Sequence, residues 1–91
     1  MLDLTRKFVL NEKIVLKKID SKCWALNIET GNQYRLNEVS YFILDSFRTG
    51  CTVETMILSL EHEYVVDRER LIADCSMMIQ TALDKFILKE V

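Results

Sequence analysis

At Asn37 the apolar residues of this chain change their spacing, and no other feature restricts its fold so strongly. Before Asn37 they sit in short runs rich in strand formers; after it they recur every three or four positions. A strand turns alternate residues to one face, whereas a helix turns every third or fourth, so the two patterns mark different elements. The chain is therefore expected to build a sheet first and helices second.

Lys13–Ile19 (KIVLKKI) and Lys22–Ile28 (KCWALNI) read as two strands joined by a hairpin at Asp20-Ser21. In the second run Trp24, Leu26 and Ile28 alternate with Cys23, Ala25 and Asn27. Large apolar groups are expected on one face and small ones on the other, with Trp24 and Tyr34 as core anchors of the sheet. Glu29–Asn32 turns the chain, with Gly31 in the left-handed region. Gln33–Leu36 is the third predicted strand, Tyr34 and Leu36 on one face and Gln33 and Arg35 on the other.

Asn37 is a good N-cap for a first helix carrying Val39, Phe42, Ile43 and Phe47, closed by Thr49-Gly50. Thr52 caps a second, with a stripe of Val53, Met56, Ile57, Leu60 and Tyr64. Asp67 caps a third, running to about Phe86 with apolar residues at Leu71, Ile72, Cys75, Met78, Ile79, Ala82, Leu83 and Phe86. The fold class is α+β, a three-stranded antiparallel sheet followed by three helices. The third stripe covers about half the helix circumference, wider than a surface helix needs to pack on one sheet. An edge strand beside an over-apolar helix suggests a receptor for an extended peptide, because unpaired edge N–H and C=O groups recruit other chains.

Composition narrows the function classes. At 91 residues, 49% hydrophobic and 29% charged, the chain is one globular domain, and no apolar run approaches the roughly 20 residues that cross a bilayer. Its first residues lack the apolar block of a signal peptide, so neither a signal nor a membrane anchor is expected. The net charge of −2 divides unevenly, with eight basic against six acidic residues in 1–50 and four against eight in 51–91. An acidic helical half argues against a phosphate-binding surface. Cys23, Cys51 and Cys75 are odd in number and without a C-x-x-C pair, and His62 is the lone histidine, so free thiols in a reducing cytosol are expected rather than disulfides or zinc. No nucleophile–histidine arrangement or glycine-rich phosphate loop is present. Asp67, Glu69 and Asp74 suit the positive end of the third helix, and Met56, Met77 and Met78 read as core fillers. The expectation is a protein that binds rather than reacts, with no catalytic residue, metal or cofactor.

The segment ALNIETGNQYRLNEVSYFILDSF resembles the central signature of the PqqD-like family, small proteins or domains that recognise the leader segment of ribosomally made precursor peptides. The matching pieces are Leu26-Asn27-Ile28, Glu29-Thr30-Gly31, Tyr34-Arg35-Leu36-Asn37 and the helix from Val39 through Phe47. Gly50, then Thr52-Val53-Glu54, resembles the family's opening of the second helix, and the likeness spans about residues 13–88. The chain departs from the family in having Phe86 where a glycine is common and Ser76-Met77-Met78 where a leucine is common.

The resemblance implies a winged-helix-like fold in which a leader peptide adds a strand to the third strand and lays apolar side chains on the third helix. Gln33, Tyr34, Arg35 and Leu36 would offer the strand edge. Leu71, Cys75, Met78 and Ala82 would wall the groove, with Asp74 and Arg35 at the rim. The implied partners are the precursor's leader peptide and a separate modifying enzyme, such as a radical SAM enzyme or leader peptidase, in the cytoplasm. The competing readings are a winged-helix nucleic-acid-binding regulator and a structural homodimer paired through the free edge. Residues 1–11 are read as an N-terminal arm, flexible or docked through Leu2, Leu4, Phe8, Val9 and Leu10 on the groove or a neighbouring molecule.

Overall fold

The computed structural model describes residues 3–65 and 67–91. β1 (Lys7–Leu10) leads into β2 (Ile14–Ile19), β3 (Lys22–Asn27) and β4 (Gln33–Leu36). Then follow α1 (Glu38–Ser46), β5 (Cys51–Thr52), α2 (Val53–Glu63), α3 (Arg68–Asp84) and β6 (Leu88–Glu90). The expected antiparallel sheet followed by three helices is present, its strand order β2-β3-β4.

Local chemistry builds these elements as the sequence predicts. Asn37 Oδ1 accepts from Ser40 N at 2.7 Å, Thr52 Oγ1 from Thr55 N at 3.2 Å and Asp67 Oδ1 from Glu69 N at 3.2 Å, so each helix begins on a capped turn. The turn after β3 is held by buried Asn27, whose Oδ1 accepts from the backbone of Glu29 at 2.9 Å and Thr30 at 3.1 Å. Gly31 completes it at φ +79°, where a Cβ would strain the backbone.

A second three-stranded sheet, order β5-β1-β6, corrects the reading of the N-terminus as an arm. Over residues 7–10 the chain is the central strand of this sheet, pairing Phe8 with Cys51 on one side and Glu90 on the other. Phe8 is fully buried and meets Phe47 edge-to-face with ring centroids 5.9 Å apart. Leu10 is buried and Leu4 and Val9 are half-buried; Leu2 lies outside the described residues. Arg6 grips Glu90 with two bonds of 2.8 and 3.0 Å, tying the strands nearest the two termini.

The faces of β3 are the reverse of those expected. Cys23, Ala25 and Asn27 are buried, Trp24 and Leu26 are half-buried on the outer face, and Ile28 is exposed, so Trp24 is not a core anchor. α1 packs directly on β3, and the small side chains let its buried residues Ile43 and Leu44 come close. Trp24 instead lies under the guanidinium of its cross-strand neighbour Arg35, 5.5 Å from the ring centroid. Tyr34 faces inward opposite Ala25 and is half-buried. In α1, Val39 is exposed rather than part of the core, while Leu44, outside the expected stripe, is fully buried.

α3 also ends earlier than its apolar spacing suggests. Lys85 caps it, and Phe86 is 72% exposed at φ +59° rather than part of the stripe. Phe86 N donates to Leu83 O at 3.1 Å and Ile87 N to Ala82 O at 2.8 Å, the bond pair of a Schellman stop. Glycine normally occupies the left-handed position, which costs other residues about 1–2 kcal/mol. Phe86→Gly is accordingly expected to raise unfolding free energy by about 1 kcal/mol, read as a higher urea midpoint at unchanged slope.

Candidate functional site

β4 is an edge strand: it pairs with β3 on one side, and among the described residues no strand pairs with its other side. The opposite edge of the same sheet, β2, carries Lys17 and Lys18, the charged side chains that usually discourage edge pairing. β4 carries no lysine and instead borders a cavity of about 620 Å³ formed with α3.

Gln33, Tyr34, Arg35 and Leu36 line this cavity from the strand; Asp74, Met78 and Ala82 line it from the helix. Leu71 and Cys75 stand in an adjoining cavity of about 650 Å³ under the first turn of α1, lined also by Ile43, Leu60 and Tyr64. Ser40, Asp74 and Met78 border both, so the two form one groove with two chambers. The structure thus gathers every sequence-selected residue along one groove, in two groups. Three residues that sequence reasoning missed, Met77, Thr81 and Lys85, line the β4 chamber too. Their signal was helical spacing: they follow Asp74 at three, seven and eleven positions and share its side of α3. Ser40 had no such signal, since its place depends on how α1 meets β4.

Burial separates lining from support. Leu71, Cys75 and Ala82 are buried, so they close the core and form the groove floor together. Met78 is half-buried, while Asp74, Met77, Thr81 and Lys85 are exposed on the lip. Arg35 contributes to the strand-side wall, but its guanidinium stands over Trp24 on the outer face. The cation at that end of the groove is Lys85, whose Nζ lies 5.3 Å from the Tyr34 ring centroid.

The groove has little reactive chemistry. Burial, assisted by the neighbouring Asp74 charge, pushes the Cys75 thiol up to about 11 from an ordinary 9.0. Near neutral pH Cys75 then carries about a hundredfold less thiolate than a free cysteine. Its alkylation by iodoacetamide at pH 8, followed by peptide mass mapping, is expected to lag that of an unfolded control by at least that factor. The unfolded chain releases this proton first as pH rises, so the contribution of Cys75 to stability is expected to fall between about pH 9 and pH 11 and to flatten in Cys75→Ala. Among the described residues, no three His, Cys, Asp or Glu side chains are placed to hold a metal ion, and no helix is long and apolar enough to cross a membrane.

α3 is also a poor reader of nucleic acid. Arg68 at its start is held by Glu54 at 3.0 Å and Glu61 at 2.9 Å, and the helix carries Glu69, Asp74 and Asp84. The profile of the family described as Coenzyme PQQ synthesis protein D (PqqD) matches residues 23–88, well over half the chain. The chain belongs to the PqqD family. In this PqqD-family chain the matched segment runs from β3 into β6, so it holds both walls of the groove and leaves out β1 and β2. No curated protein is significantly similar to it in sequence. A solved structure, "TbiB1 in Complex with the TbiA(beta) Leader Peptide", shares its fold with a TM-score of 0.73 and 22% identity, over 89% of this chain and 94% of that one.

Proposed function

We propose that this PqqD-family chain is a non-catalytic module that captures the leader segment of a ribosomally made precursor peptide and presents it to a separate modifying enzyme. The leader adds a strand to β4 and lays its inward side chains on α3. The observation that carries the reading is the unpaired β4 edge lying along an apolar groove. The likeness to TbiB1, a protein solved with a leader peptide, supports it.

The energetics suit reversible capture. Main-chain pairing along the four residues of β4 is sequence-blind, each bond netting about 0.5–1.5 kcal/mol. Apolar anchors add about 1.5–3 kcal/mol each when fully buried, and they supply the selectivity. Ordering the peptide and losing its free motion offset much of this sum.

The test is an amide-shift titration with leader segments from precursor-like reading frames next to this gene. Shifts concentrated on residues 33–36 and the groove side of α3 are expected. Binding that leaves both unmoved would refute capture by strand addition.

A further inference from the structure

The lip of the groove on α3 has charges of opposite sign at its two ends. Asp74 and Lys85 lie eleven residues apart on one side of the helix, with Met77 and Thr81 between them. At 1.5 Å per residue they are about 16 Å apart, the length of about five residues of extended strand. β4, the facing wall, has four residues. Helix lip and strand edge are therefore matched in length, and the lip carries its charges where a bound strand would end.

The directions of the two walls are set by contacts. Lys85 stands over Tyr34, in the first half of β4, while Asp74 shares its surroundings with Ser40, which follows the end of β4. α3 thus runs opposite to β4. A peptide pairing antiparallel with β4, the commoner arrangement, runs along α3 from Asp74 toward Lys85. Neither lip charge has an ion-pair partner among the described residues. Of the neighbouring charges, Arg35 is turned to Trp24, and Asp67 with Arg70 sum to zero beside Asp74. Asp84, which precedes Lys85, lies off the groove lining and accepts from Gln80 Nε2 at 3.0 Å.

We propose that Asp74 and Lys85 read the ends and direction of the bound segment. The site takes an apolar stretch of about five extended residues, preceded by a cation that meets Asp74 and followed by a carboxylate that meets Lys85. This rests on the reading of β4 and α3 as a peptide-binding groove. Leaders with the charges in the reverse order meet like charge at both ends, which rejects them without altering the apolar floor.

Two N-acetylated, C-amidated, fluorescently labelled heptapeptides test this: one begins with lysine and ends with glutamate around alternating leucine and threonine, and the other has the two charges exchanged. Affinity is read by anisotropy and location by amide shifts. The lysine-first peptide is expected to bind about tenfold more tightly in about 20 mM salt, with most of the difference gone in about 0.5 M salt. Asp74→Lys combined with Lys85→Asp is expected to invert the preference, and Asp74→Asn alone to shrink it. Equal affinity for both peptides, with shifts on residues 33–36, overturns the charge reading and leaves peptide capture standing. Tighter binding of the glutamate-first peptide overturns the proposed direction. Absence of shifts on β4 with either peptide overturns capture together with this inference.

Discussion

Met78→Glu is expected to weaken leader binding by about a hundredfold while leaving the chain folded. Met78 borders both chambers, so its side chain touches whatever apolar anchor crosses from one to the other. Glutamate would put a second carboxylate one helical turn from Asp74 and demand water where the groove excludes it. Loss of one buried anchor of about 1.5–3 kcal/mol corresponds to a factor of about ten to more than a hundred. Because Met78 is only half-buried, the fold itself is expected to lose no more than about 1 kcal/mol. Met78→Leu, nearly equal in volume, is expected to bind within about threefold of the parent. Anisotropy titration with a labelled leader, run beside urea denaturation of each variant, separates these effects. A Met78→Glu variant that binds like the parent would remove the groove from the mechanism.

Phe8→Ala is expected to have the larger effect on stability, about 3–5 kcal/mol. Phe8 has no exposed surface, packs edge-to-face on Phe47, and sits on the central strand of the second sheet. A domain of this length is stabilised by roughly 5–14 kcal/mol, so the loss takes a large share of the whole. Removing residues 1–10 goes further. It leaves β5 and β6 without the strand that joins them and removes Leu10 from beside buried Leu88, so the truncated chain is expected to unfold. Circular dichroism through a urea series checks both. A truncated chain with the parent's midpoint would mean that β1 is dispensable after all.

Sequence reasoning succeeded where structure depends on neighbours in the chain. The caps at Asn37, Thr52 and Asp67, the turn closed by Gly31 and the short β4 each follow from side chains within a few positions. The groove was half legible for the same reason. Residues on α3 follow one another by helical period, so spacing puts Leu71, Cys75, Met78 and Ala82 on one apolar stripe, and the family resemblance singles them out as the groove wall. Lys85 escapes that reading because a stripe drawn through apolar residues skips a charged one, although the predicted helix runs past it to Phe86.

The two larger errors, the buried face of β3 and the place of β1, share one cause. Which side of β3 faces the core is a question about what packs against it, and alternation alone is symmetric between faces. The buried side is that of Ala25 and Cys23, because a helix has to approach there, and Trp24 is too large to let it. Likewise β1 and β6 come from opposite ends of the chain, and β5 is two residues long, so no local pattern announces their pairing.

From its sequence alone this protein owes its order of sheet then helices, its capped helix starts and its apolar α3, since each is a preference that a short stretch of chain expresses by itself. Tertiary structure decided which face of the sheet is buried, that the first strand belongs to the core, and that Asp74 and Lys85 bracket β4. Those facts are distances between residues far apart in the chain, and only packing sets such distances.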